Sequence, residues 1–140
     1  MLVPCEVAIK CVLPVARAMI AKELMTKYEL KQVEAAKLLG VSQPAISHYY
    51  RQMRGKAINL ENDRDVKVLI ENLGASLARG NLSHKDFIPM FCEICRTIRA
   101  KGLMCKLHKA FDPAIDIEKC ELCSLTTIKC VHQNDFRHRL

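Results

Sequence analysis

The residues of this chain best suited to chemistry carry sulfur. "CEIC" at 92 to 95 and "CELC" at 120 to 123 each set two cysteines three positions apart, and "CKLH" repeats the interval with Cys105 and His108. On a helix such a pair shares one face at about 5 to 6 Å, close enough for two thiolates to bind one metal centre. Cys92, Cys95, Cys120 and Cys123 together satisfy the four ligands of zinc. However, 24 residues lie between Cys95 and Cys120, more than the roughly 15 to 20 usual between zinc-binding Cys-x2-Cys pairs, and zinc leaves Cys105 without a task. An iron–sulfur cluster takes four thiolates from Cys92, Cys95, Cys105, Cys120 and Cys123 and tolerates wide separation, so it is preferred to zinc. A thiol–disulfide switch without metal is the third reading. Buried, inert thiols are the bland one.

Five of the eight cysteines fall between residues 92 and 123. Cys5 and Cys11 have no ligand spacing and read as core or helix-packing residues, while Cys130 and His132 read as bystanders of the cluster. In a secreted chain this many cysteines would mean disulfides, but no export signal is convincing. "CVLPVARAMIA" resembles a signal core in length, yet Glu6 precedes it and Arg17 interrupts it. No run reaches the roughly 18 apolar residues of a membrane span. A cytoplasmic protein without membrane association is therefore expected, and reducing surroundings turn the cysteines toward metal or redox chemistry. Cys105 and His108 could pair as nucleophile and base, but no orienting group, oxyanion donor or phosphate loop accompanies them, so no enzyme is expected.

The elements that position these residues read as helices, and the fold class as all-α. Half the chain is apolar, with 4 Phe, 3 Tyr and no Trp, so Leu, Ile, Val, Ala and Met must build the core. "LPVARAMIAKELMTKY", 13 to 28, has helical spacing, with Pro14 separating it from a short helical turn in "VPCEVAIKCV". Val33, Ala36 and Leu39 mark a helix that Gly40 ends, and Ser42 caps another carrying Ala45, Ile46, Tyr49 and Met53 behind Pro44. Val66, Leu69, Ile70, Leu73 and Leu77 form a stripe stopping near Gly80. Phe87, Phe91, Ile94 and Ile98 form a second, stopping at Gly102 despite Pro89. Residues 103 to 140 lack periodicity and end in the basic "DFRHRL".

The net charge is +7, and between Glu34 and Glu61 no acid occurs while Lys37, Arg51, Arg54 and Lys56 do. A basic window of this kind suits a nucleic-acid partner. "QVEAAKLLGVSQPAISHYY", 32 to 50, also has what two helices crossing at a tight turn require: small Ala36 at the approach, Gly40 in the turn, and Val41, Ile46 and Tyr49 filling the angle. Over about 26 residues, "LKQVEAAKLLGVSQPAISHYYRQMRG" resembles the lambda-repressor-like, XRE-type helix-turn-helix domains. The opening "PCEVAIKCVLPVARAMIAKEL" is similar to the start of archaeal regulators of this type. The resemblance implies a second helix seated in the major groove of double-stranded DNA. It places Gln43, Ser47 and His48 at base edges with Ser42 beside them, Gln32 bracing Gln43 or a phosphate, and Arg51, Arg54 and Lys56 on the backbone.

The expected organisation is a helix-turn-helix domain over 1–60, a helical connector over 61–91, and a small cysteine-rich metal-binding module over 92–140 with a basic tail. One reading helix covers too few base pairs, so a homodimer is expected, with the 66 to 77 stripe as one possible interface, although such a stripe ordinarily packs on its own core. The expected function is a DNA-binding transcription regulator that senses redox state or iron through a cysteine-ligated iron–sulfur cluster. A structural zinc site or a metal-free redox switch is the alternative. The 1–60 segment is expected to stay folded by itself.

Overall fold

Residues 2–52, 55 and 57–123 are described by the computed structural model. Among them every regular element is helical, as aliphatic composition and helical periodicity predict. The chain opens with α1 (Pro4–Val7), a π-helical segment (Ala8–Val12) and α2 (Leu13–Thr26), which follow one another without a break in right-handed helical backbone. This corrects the expectation that Pro14 separates two helices. Proline has no amide hydrogen and its ring crowds the carbonyl four residues back. In the wider π turn, the Leu13 N–H reaches the Ala8 carbonyl five residues back, which makes room for proline without ending the helix. Arg17, the charge that interrupts the apolar opening, lies over the Phe91 ring at 5.5 Å from its centroid.

Two short helices follow, α3 (Gln32–Leu39) and α4 (Gln43–Tyr50). Gly40 takes the left-handed conformation, φ 64° and ψ 33°, and the Val41 and Gly40 amides close back on the Ala36 and Lys37 carbonyls at 3.1 and 3.4 Å. These two bonds satisfy carbonyls that α3 would otherwise leave open, and they set the direction of the turn. The Ser42 hydroxyl accepts from the Ala45 amide at 3.3 Å, starting α4. Ala35, Ala36, Leu39, Ala45, Ile46 and Tyr49 are buried. Val33, expected on the inner face of α3, is 65% exposed; two adjacent alanines form that face instead and let α3 approach its neighbours closely.

The second half contains α5 (Arg64–Ala78), α6 (His84–Ala100) and α7 (Cys105–Phe111). Val66, Ile70, Leu73 and Leu77 are buried, and α5 packs on both α2 and α6. The stripe is therefore the protein's own core and not a free interface. Gly74 allows the α2 crossing, since a Cβ there would stand 2.9 Å from Glu23 Cγ. On α6, Phe91, Ile94 and Ile98 turn inward as their spacing predicts, and Phe87 stacks on Phe91. Lys101, at the end of α6, bridges Asp63 and Asp65 at the start of α5, with 2.7 Å to each carboxylate. Helix α7 lies where no periodicity was expected. One continuous cluster of buried side chains runs from Val7 to Met104, so α6 shares its core with α2 and α5. Among the described residues no helix is long and apolar enough to cross a membrane.

Candidate functional site

Two groups of functional side chains stand on this frame, and α2 lies between them. The first is the outer face of α4. Ala45, Ile46 and Tyr49 hold its inner face, which leaves Gln43, Tyr50 and Arg51 exposed and Ser47 and His48 half-buried. Gln32 and Gln43 sit at the N-terminal ends of α3 and α4, brought side by side by the turn at Gly40. Gln43 Nε2 donates to Gln32 Oε1 at 3.2 Å. The bond engages one Gln43 N–H and leaves its carbonyl oxygen and second N–H to other partners, a donor and an acceptor on one exposed group. The family resemblance implies that Gln32 braces Gln43 or a phosphate, and the two glutamines share this hydrogen bond. Ser42 is engaged as the cap of α4 but keeps its hydroxyl proton as a donor. Arg54, Lys56 and Met53 lie outside the described residues.

The second group surrounds Arg99. Helix α6 carries Cys92, Cys95 and Arg99 at positions i, i+3 and i+7, a continuous strip of one face. Arg99 Nη1 donates to the Cys5 sulfur on α1 at 3.6 Å, and Cys123 lies close enough to favour its charge. Cys105 begins α7, and a cavity of about 50 Å³ opens among Arg99, Cys105, His108, Cys120 and Cys123. Cys105, Cys120 and Cys123 thus line one cavity with Arg99, which also meets Cys5. Among the described residues, however, no three His, Cys, Asp or Glu side chains stand close enough to hold a metal ion.

Burial and neighbouring charges perturb three of the groups there. Burial pushes the Cys95 thiol above its ordinary value; Cys92 and Cys5 add to the rise, while Arg99 opposes it. Burial likewise raises Cys105, with Cys123 and Cys120 adding. Burial works against the charge of Arg99, but the nearby Cys123, Cys5 and Cys95 more than offset it. Thiols held protonated are poor nucleophiles, and a soft metal is the kind of partner that displaces their protons.

Sequence reasoning missed two members of this group. Cys5 is not a core residue; it is exposed, while Cys11 is buried as expected. Arg99 drew no attention because a basic residue near the end of a helix is ordinary. Nothing local marks the pair, which lies 94 positions apart. His108, a possible ligand by spacing, is only 4% exposed and donates its Nε2–H to the Leu2 carbonyl at 2.7 Å. Cys130 and His132 lie outside the described residues. The chain matches no family model, no curated protein and no solved structure.

Proposed function

We propose that this protein is a transcription regulator of the XRE-like helix-turn-helix type, cytoplasmic and homodimeric, that reads double-stranded DNA with α4 and carries a redox- or iron-responsive cysteine site. The observation that carries the DNA-binding reading is the Gln32–Gln43 hydrogen bond. It orients the exposed amide at the start of α4, where helix-turn-helix proteins contact bases. An amide so held can match adenine N6 and N7 in the major groove. Ser47 and His48 lie along the same helix, and exposed Arg51 suits a phosphate, with Arg54 and Lys56 following in an acid-free window.

The number and spacing of the cysteines support a thiolate-ligated group, although no three ligand side chains among the described residues stand together. Several thiolates around one metal centre carry net negative charge, and Arg99 offers a positive charge among them. Cys92, Cys95, Cys105, Cys120 and Cys123 are the residues that would hold an iron–sulfur cluster, which supplies sensitivity to oxygen and iron when bound. The two Cys-x2-Cys pairs favour zinc as the second reading. No catalytic role is proposed, because His108, the base that Cys105 would need, is committed to Leu2.

The test is a binding titration of the full chain, purified anaerobically, against a randomised duplex library at several salt concentrations. Enrichment of one sequence, with affinity falling as salt rises, is expected. Uniform weak binding without enrichment would refute the reading. Absorption spectra with metal and sulfide analysis of the same preparation separate iron–sulfur from colourless zinc.

A further inference from the structure

We infer that the cavity between α2, the end of α4 and the chain that returns from α4 is a binding site for a small aromatic carboxylate. The inference rests on neither the cysteine site nor the DNA reading, so it stands or falls apart from both. The cavity holds about 490 Å³, within the roughly 300 to 1,000 Å³ of small-molecule sites. Local sequence accounts for its enclosure. Helix α4 ends at Tyr50, and Gln52 and Gly55 then take the left-handed region, with φ 57° and 72°. A Cβ on Gly55 would stand 2.6 Å from the Ala18 Cβ and 2.7 Å from the Pro14 carbonyl oxygen, so glycine is what lets the backbone lie this close to α2. Further along, Leu60 buries its side chain, and Lys22 Nζ donates to Glu61 Oε1 at 2.9 Å. These contacts tie the returning chain to α2 at two places and leave the cavity between them.

The lining specifies the ligand. Val15, Met19, Ile58 and Leu60 give it an apolar wall, and Tyr49 and Tyr50 add two rings from α4. Two rings and a polarisable thioether favour a flat aromatic body over an alkyl chain. Hydrogen-bond donors select the head group. The Lys22 ammonium has three N–H groups, of which Glu61 takes one. Asn59 Oδ1 accepts from the Glu61 amide at 3.1 Å, which commits its oxygen and keeps its NH2 group as a donor. Among the described residues of the lining, Glu61 is the one carboxylate, and Lys22 already offsets its charge. No other acid occurs between it and Glu34. A carboxylate on the ligand is therefore bound by Lys22 and shares that ammonium with Glu61. Both side chains are 61% exposed, so the head group stays in contact with water while the ring enters the cavity, and no charge is buried unpaired.

The experiment titrates the full chain by calorimetry with three probes that share one ring system, naphthoate, naphthamide and naphthylmethylammonium. Saturable binding with naphthoate the tightest is the expected result. Saturable binding of none of them would overturn the site, and an amide or ammonium that binds as tightly as naphthoate would overturn the carboxylate. Lys22→Gln should weaken naphthoate about tenfold or more, while Lys85→Gln on α6 leaves it unchanged. Glu61→Gln removes the competing carboxylate and should tighten naphthoate about two- to fivefold. Lys22→Gln and Glu61→Gln break the same salt bridge, so equal weakening in both would show that the bridge only supports the wall and would refute Lys22 as the head-group ligand. All three replaced side chains are exposed, and circular dichroism of each variant checks that the helices are retained.

Discussion

His108 donates its Nε2–H to the carbonyl of Leu2 across 2.7 Å, joining residues 106 positions apart. The Leu2 amide in turn donates to Asp112 Oδ2 at 3.1 Å. Both backbone groups of Leu2 are therefore held by α7 and the residue that follows it. The start of the chain closes over the segment that carries Cys105, which keeps α1, and Cys5 with it, beside α6. This clasp explains how a region with no sequence periodicity can be ordered: its partner is the N-terminus.

The clasp should be sensitive to acid. The Leu2 amide is the main reason that the Asp112 carboxyl lies below the ordinary carboxylate range, with the Ala114 amide assisting. A depressed folded value stabilises the protein fully above the unfolded carboxylate pKa, and that contribution is lost as pH falls through the folded value. Urea midpoints of the native protein and Asp112→Asn, measured from neutral pH to below the carboxylate range, should differ at neutral pH and converge in acid. A constant difference across that range would exclude the carboxylate. His108→Ala should lower stability by about 1 to 3 kcal/mol, because it leaves the Leu2 carbonyl without its buried donor.

The two ends of α4 should contribute differently to DNA binding. Arg51→Ala is expected to weaken binding to all sequences and flatten its salt dependence, whereas Gln43→Ala should relax discrimination at one base pair by about 1 to 3 kcal/mol. Gln32→Ala, which removes only the brace, should show a smaller loss at that same base pair. Gel-shift titrations against single-base operator variants measure all three. A Gln43→Ala protein with undiminished discrimination would remove α4 from the reading surface.

Packing predicts that residues 1–60 do not stay folded alone, contrary to the expectation from sequence. Ile20 and Leu24 are fully buried in a core that α5 completes, and α2 packs against α5. Cutting before α5 would expose that face of α2 to water. Circular dichroism of the 1–60 fragment should show markedly reduced helicity and no cooperative melt; a cooperative melt matching the full chain would contradict this. In the whole protein, Leu73→Ala should cost about 2 to 5 kcal/mol while leaving the association state unchanged in sedimentation equilibrium.

If the cysteine site regulates, its loss must be felt at α4. Cys95→Ser, or chelation of the bound group, is expected to change operator affinity by about 1 to 3 kcal/mol, the usual range of coupling between sites. Operator titrations under anaerobic conditions measure it, with metal analysis of the same samples. Equal affinities, with the metal demonstrably absent from the variant, would leave a purely structural site.

Features with local causes were legible in the residues themselves. Ser42 and Gly40 mark the ends of α4 and α3 because a cap and a left-handed turn are decided by the residue that occupies them. The inward faces of α5 and α6 show in the 3.6-residue period of Val66, Ile70, Leu73 and Leu77 and of Phe91, Ile94 and Ile98. Other features arise only where distant segments meet in the folded chain. Helix α7 is ordered against Leu2, Val33 faces outward because Ala35 and Ala36 supply the contact, and Pro14 sits inside a helical run because a π turn precedes it. Cys5 meets Arg99 because the guanidinium crosses from α6 to α1. Contacts across 94 or 106 positions impose no period on the residues around them, so spacing carries no trace of them until the chain has folded.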